Sequence, residues 1–232
     1  MRFSIFLVLF VLVLCGCGDA PPTIDGYTYK TVKIGDQEWF AENLRTTVYA
    51  NGDEIPYSRT DESWTIQYMG MRCPYAHDEE SSARYGQLYN WYAVDDARGL
   101  CPNGWHVPSD KDWQKLEVFL GFSIADVSIG GDRGSGELGI GTKLKASGGW
   151  EEDGNGIDEF GFGAFPGGRR HYRNGSFENA GYFGYWWSSS PISGGAKWQG
   201  AWYRSLTLSP VISRYSSEPR FGFSVRCLRD AE

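Results

Sequence analysis

Apolar and polar residues alternate along residues 27–34 (YTYKTVKI), a Gly35-Asp36 pair follows, and an apolar run resumes over residues 37–40. Alternation broken by a turn dipeptide predicts a β-hairpin, because successive strand side chains point to opposite faces and glycine admits the turn's backbone. Residues 46–84 are polar and irregular, with Asn51-Gly52, Pro56 and Pro74 as breakers, and are assigned to loop. Over residues 85–96, Tyr85, Leu88, Trp91, Tyr92 and Asp95 recur at helical spacing, which predicts a first helix closing at Gly99. A second helix is predicted from Ser109 to Gly121. Ser109 suits the N-cap, Asp110 and Asp112 suit the positive helix end, and Gly121 suits the C′ position, while Trp113, Leu116 and Leu120 form one apolar stripe.

From Gly130 to Gly168 glycine punctuates the chain, and beyond Gly181 strand character returns over residues 182–188, 198–208 and 221–228. In the last of these, Phe221, Phe223, Val225 and Cys227 share one face and Gly222, Ser224 and Arg226 the other, the pattern of a half-buried strand. Trp186 and Trp187 are neighbours on a strand, so they point to opposite faces and at most one of them is expected in the core. The order is a strand pair, two helices, long loops, then several strands, with no internal repeat and no βαβ alternation. That is an α+β plan.

The first residues read as an address. Arg2 precedes a run, residues 3–14, that is apolar except for Ser4 and shorter than the roughly 20 residues a spanning helix needs. The run ends Leu14-Cys15-Gly16-Cys17, the form of a bacterial lipobox, in which a small residue precedes a lipidated cysteine. Residues 1–16 are therefore expected to be a lipoprotein signal peptide, Cys17 the lipidation site, residues 17–26 a tether and residues 27–230 one domain. Two acyl chains would hold that domain firmly on a membrane face. The expected location is the bacterial cell envelope, at the outer membrane or cell surface.

Composition narrows the function. With 22 Lys+Arg against 29 Asp+Glu the net charge is −7 and the cations are scattered, apart from Arg169-Arg170, so no nucleic-acid partner is expected. A set of 31 Gly beside 10 Trp, 14 Tyr and 13 Phe suits a loop-rich fold with aromatic plugs better than a helical bundle. Past the signal only Cys73, Cys101 and Cys227 remain. That count permits one disulfide in any of three pairings, and export makes a structural bond plausible. There is no CxxC, and His77, His106 and His171 are too few for a histidine-rich metal cluster. Gly134-Ser135-Gly136-Glu137-Leu138-Gly139 fits GxGxxG but follows no strand and opens no helix, so it reads as a glycine loop. Asp153-Gly154-Asn155-Gly156-Ile157-Asp158-Glu159 begins like a calcium loop, yet Ile157 replaces an oxygen ligand and Asp158 the required glycine, so it reads as an acidic turn. Asn174-Gly175-Ser176 reads as a turn. No nucleophile elbow, H-E-x-x-H or Walker loop occurs.

Eight ordered segments carry a resemblance. They are Thr31-Val32-Lys33-Ile34-Gly35, Trp39-Phe40-Ala41-Glu42-Asn43-Leu44, Tyr85-Gly86-Gln87-Leu88-Tyr89-Asn90-Trp91, Cys101-Pro102-Asn103-Gly104-Trp105-His106-Val107-Pro108-Ser109, Gly141-Thr142-Lys143-Leu144-Lys145, Pro166-Gly167-Gly168-Arg169, Tyr185-Trp186-Trp187-Ser188-Ser189 and Gly222-Phe223-Ser224-Val225-Arg226-Cys227. In order and spacing they resemble the Fibrobacter succinogenes major paralogous domain, from about Thr28 to Asp230. That domain is similar to the sulfatase-modifying-factor group, whose helix opening matches His106 to Trp113 and whose terminal G-F-R-C matches Ser224-Val225-Arg226-Cys227. The resemblance implies a C-type-lectin-like fold, two helices packed on a small twisted antiparallel sheet with long loops and neighbouring termini. It also implies a Cys101–Cys227 disulfide, with Cys73 unpaired.

The sulfatase-modifying enzymes work through reactive cysteines upstream of the terminal motif, and residues 201–226 contain none here. Calcium-dependent lectins display Glu-Pro-Asn or Gln-Pro-Asp, whereas this chain has Glu218-Pro219-Arg220. No catalytic residue, cofactor or metal is therefore expected, calcium being the one ion left open. The expected function is non-catalytic recognition of an extracellular glycan or envelope protein, against the alternatives of an adhesion component or a sulfatase-modifying-type enzyme. Aromatic faces beside arginines suit sugar stacking or a protein hot spot. The candidate ligand-binding residues are Arg169, Arg170, Tyr172, Trp187, Trp198, Trp202, Tyr203, Arg204 and Tyr215. His171, beside Arg169 and Arg170, reads as part of a solvated loop or as an anion contact.

Overall fold

The structure, a computed structural model, describes residues 20–134, 139–192 and 200–231. The expected lipidation site Cys17, the candidate Trp198 and most of the GxGxxG segment lie outside the described residues. Strands β1 (Thr23–Ile24) and β2 (Tyr27–Thr28) form a small ladder. The predicted hairpin follows as β3 (Thr31–Ile34) and β4 (Gln37–Phe40), and β4 also pairs with the last strand, β13 (Leu228–Asp230). Gly35 in its turn has φ +60, and a Cβ there would lie 2.9 Å from the Phe119 ring. Glycine is required on both counts.

The region assigned to loop holds short structure. It contains α1 (Asp61–Ile66), closed by a Thr60/Ser63 capping box, β5 (Arg72–Pro74), a 3-10 turn (Tyr75–His77) and α2 (Glu79–Tyr85) capped by Asp78. These elements are too short to show a period among so many polar residues. The expected helix over residues 85–96 is corrected. Gly86, with φ +75 and a Cβ position 2.6 Å from the Leu44 carbonyl, breaks it into β6 (Gln87–Tyr89), paired with β5, and a single turn, α3 (Trp91–Val94). The second predicted helix is present as α4 (Asp110–Phe119). Ser109 accepts from the Asp112 amide, and Asp112 accepts from the Ser109 amide. With the short α5 (Ile140–Leu144), the described residues hold five helices, of which α4 alone reaches ten residues.

Most of the regular structure is sheet. A six-stranded sheet runs β7 (Gly131–Arg133), β12 (Ile212–Ser217), β11 (Ala201–Leu206), β10 (Gly184–Pro191), β8 (Gly167–Arg170), β9 (Phe177–Ala180), antiparallel except where β10 meets β8. The architecture is mixed α and β, mostly sheet with few helices. Register puts Trp187, Tyr203 and Tyr215 in one cross-strand row and Trp186, Arg204 and Arg214 in the next. Adjacent rows point to opposite faces.

The row of Trp186 faces α4 and carries charge into the core. Glu117, fully buried, accepts from Arg133 Nη1 and Nη2 at 3.0 and 2.9 Å and from Arg204 Nε at 2.5 Å. Asp110 accepts from Arg204 Nη1 at 2.8 Å and from Arg214 Nε and Nη2 at 2.9 and 2.7 Å. Burial alone would raise the Asp110 pKa, but its bonds from Arg214 and the charge and bond of Arg204 outweigh that and hold it below the usual range.

The segment 221–228 is not half-buried as expected. All eight residues are buried, because their two faces meet two different clusters. Phe223 and Val225 join one apolar cluster, while Arg226 enters a polar knot in which its guanidinium donates to the carbonyls of Phe40, Phe162 and Gly163 and to Asn43 Oδ1, which also accepts from Trp186 Nε1 at 2.8 Å. Burial lowers the Arg226 pKa. Both Trp186 and Trp187 are buried, correcting the expectation of one core member at most.

Cys101 and Cys227 form a disulfide across 126 residues of sequence, with Cα atoms 5.9 Å apart, and Cys73 is a buried free thiol whose pKa burial raises to about 11. Loop closure of that length stabilises by about 4–5 kcal/mol in the chain-entropy picture. Residues 20–24 and Arg229 line one pocket, so the two ends of the described chain neighbour each other.

Candidate functional site

The expected binding residues separate by face. Arg204 is fully buried in the Asp110 and Glu117 network, and Arg170 is fully buried, donating to the carbonyls of Gly175 and Ser58 and to Asp61 Oδ1 at 3.2 Å. Trp187 is fully buried too. Its Nε1 donates to the Tyr89 carbonyl at 2.9 Å, and its ring lies 4.4 Å from Phe223. These three assignments to a ligand surface are corrected, since every polar group named here is already matched inside the protein. Trp202 lies on the helix-facing side, half-buried, with the Arg214 guanidinium 3.6 Å from its ring centre.

Arg169, Tyr172, Tyr203 and Tyr215 reach the surface, and the fold joins them with residues the sequence reading did not select. On the sheet face away from α4, Tyr215 is 43% exposed and its hydroxyl donates to Asp132 Oδ1 at 3.4 Å. Its ring is 6.3 Å from Tyr203, which packs 4.8 Å from Phe223. Phe223 stacks on Tyr185 at 5.1 Å, and Tyr185 on the half-buried Phe183 at 5.7 Å. Arg169 lies over Tyr185 and Phe221, at 5.4 and 5.1 Å, and is held there by Glu178, which accepts from Nε and Nη2 at 3.0 and 2.8 Å. The Glu178 carboxyl is raised by burial but lowered more by the bonds from Arg169 and Ser176, so its pKa is net lowered and it stays charged.

Beyond Phe221 the contacts continue outward. Tyr172 packs on Phe221 at 4.8 Å and stacks on His171 at 5.0 Å, while Arg173 Nε donates to its hydroxyl at 2.6 Å. Arg220 spans Tyr172 and Tyr68, 5.7 and 5.1 Å from their ring centres, fixed by Glu218 at 2.7 Å and the Thr65 carbonyl at 2.8 Å. Tyr68, 70% exposed, meets Tyr92 at 6.1 Å. The result is a run of contacts from Tyr215 to Tyr92, ring on ring except where the Arg220 guanidinium bridges Tyr172 and Tyr68. Arg169 and Arg220 are oriented by acids, and Tyr215, Tyr203, Phe183, Tyr172, Tyr68 and Tyr92 show ring surface along it over the buried Phe223, Tyr185 and Phe221.

Phe221, Tyr185, Tyr68, Tyr92 and Arg220 were missed because they come from segments distant in sequence. The one local signal was the polar loop that nonetheless carries Ile66, Tyr68 and Met69, all exposed. Burial raises the Tyr203 pKa to about 12 and raises that of Tyr92, so both hydroxyls remain protonated donors at neutral pH. Such a strip can stack on flat apolar faces and donate hydrogen bonds at its edges. Among the described residues no group of three or more His, Cys, Asp or Glu is placed to hold a metal ion. Asp158, in the expected acidic turn, accepts from the Gly163 amide at 2.7 Å, and Asn155 accepts from that of Trp150 at 3.0 Å.

The family model of the Fibrobacter succinogenes major domain matches residues 32–229. No curated protein and no solved structure matches the chain. A match over most of the sequence shows the family, and the protein belongs to it.

Proposed function

We propose that this protein is an exported, lipid-anchored, non-catalytic binding protein of the cell envelope that recognises an extracellular carbohydrate through the Tyr215-to-Tyr92 strip. The observation that carries the reading is the strip itself. Partly exposed rings of Tyr215, Tyr203, Tyr172, Tyr68 and Tyr92 are joined through buried Phe223 and Phe221, with Arg169 and Arg220 held over the run by Glu178 and Glu218. Sugar rings present flat C–H faces to aromatic rings and hydroxyls to the arginine and tyrosine donors at the edges. The anchor is Cys17 at the end of the apolar leader, and residues 27–230 are the binding domain. The proposed fold is C-type-lectin-like, supported by the neighbouring chain ends and by the disulfide that ties the terminal segment to residue 101. Absence of cysteine from residues 201–226 supports a binding role over that of a sulfatase-modifying-type enzyme.

Binding of the purified protein to a broad panel of polysaccharides and glycans, with calcium and with chelator, tests this reading. Saturable binding that weakens at least tenfold in Tyr203→Ala is the expected result. Silence across the panel would transfer the strip to an envelope protein partner, the reading favoured by exposed Ile66 and Met69 beside Tyr68.

A further inference from the structure

A second concave site lies apart from the strip. A pocket of about 570 Å³ is lined by Arg45, Thr47, Glu54, Tyr57, Arg59, Arg72, Glu79, Ser82 and Gln87. Arg59 and Arg72 both stack on Tyr57, their guanidinium carbons 5.0 and 5.3 Å from the ring centre, and neither forms an ion pair with a described residue. Arg45 differs, being already paired with Glu42 at 2.7 Å.

Arg72 is preorganised. Its backbone belongs to β5, its Nη1 donates to Gln87 Oε1 at 3.4 Å, and the buried Gln87 is fixed in turn by donating to Ser82 Oγ at 2.7 Å. Its Nε is buried and without a partner. Arg72, held by Gln87, and the exposed Arg59 lie against one ring and line one pocket, and their guanidinium nitrogens not bonded within the protein suit an oxyanion.

Glu54 and Glu79 set the rest of the specificity. As carboxylates they repel a second negative charge and accept hydrogen bonds, so a bare polyanion fits poorly. A ligand with one anionic group beside several hydroxyl donors fits both halves of the pocket. We propose that this pocket binds a saccharide bearing a single carboxylate, a uronate, with Arg59 and Arg72 on the carboxylate and Glu54 and Glu79 on its hydroxyls. This rests on the reading of the protein as a carbohydrate binder and names a ligand chemistry for a different surface.

Isothermal titration of the purified protein with xylotetraose bearing one glucuronate, with xylotetraose alone and with inorganic sulfate tests it. The uronate-bearing sugar should bind at least tenfold tighter than the neutral one. That preference should shrink with added salt and disappear in Arg72→Gln and in Arg59→Gln; Arg59 is exposed, so the latter variant should keep the parent melting temperature. Equal affinity for the two sugars, a preference that survives in either variant, or a response to sulfate alone would each overturn the proposal. A preference that persists while the glycan panel shows no Tyr203-dependent binding would remove the strip reading and leave this pocket. Panel binding without a uronate preference would do the reverse.

Discussion

The two faces of the β10–β11–β12 sheet are built from the same strands, one residue out of phase, and solve opposite problems. The row Trp186, Arg204, Arg214 looks toward α4 and encloses two arginines with Asp110 and Glu117. The row Trp187, Tyr203, Tyr215 looks the other way and grades from a buried indole to a ring 43% exposed. Arginine inside this sheet is matched by carboxylates, Asp110 and Glu117, since an unpaired buried charge costs several kcal/mol. Tyrosine can be buried by its ring and still present its hydroxyl to water, so the outer row leaves donors available. In these two rows the arginines are structural, and the tyrosines are the residues that reach the surface.

Breaking the inner face should have the largest effect. Glu117→Ala leaves Arg133 without a carboxylate and Arg204 with Asp110 alone. It should cost about 3–5 kcal/mol and lower the melting temperature by roughly 10 °C for a domain of this size. Cys101→Ser or Cys227→Ser, which releases the terminal segment bridging the two clusters, should cost about 2–5 kcal/mol by urea unfolding. A loss below 1 kcal/mol would show that the bond carries no closure entropy.

The faces should also titrate at opposite ends of the pH scale. Asp110 has a folded pKa below its unfolded one. Its contribution is therefore present above the unfolded value, near 4, and is lost as pH falls through the folded one. Asp110→Asn should flatten the acid limb of stability against pH. Tyr203, raised to about 12, contributes stability that is complete below its unfolded value near 10 and is lost between pH 10 and 12. Tyrosinate absorbance should show one phenol fewer in the step centred at about pH 12 in Tyr203→Phe. The smallest expected effect on stability is that of Tyr215→Ala, within about 0.5 kcal/mol because the ring is at the surface. A greater loss would mean the outer face is structural after all.

Strong local signals were legible in the sequence. The Gly35-Asp36 hairpin and the Ser109-capped helix follow from turn and cap chemistry within a dozen residues, and both are present. Glu117 was legible in principle, since an acid between Leu116 and Leu120 on the apolar stripe signals a buried partner. Residues 85–96 misled because Trp91, Tyr92 and Asp95 keep helical spacing while Gly86, forced against the Leu44 carbonyl, ends any helix before them. Of the candidate binding residues, Arg169, Tyr172, Tyr203 and Tyr215 lie at the surface. Arg170, Trp187 and Arg204 carry the same residue chemistry and are enclosed.

By itself the sequence determined the family, the Gly35-Asp36 hairpin, the Ser109-capped helix and the three cysteines among which one pair bonds, because each depends on residues close in the chain or on their order along it. Which arginines are buried, which aromatic faces meet water, and that Tyr68, Arg220 and Tyr203 share one surface were decided by tertiary structure alone. Strand register and the path of residues 221–228 bring together side chains more than a hundred positions apart, and no local pattern encodes the carboxylate or ring each will meet.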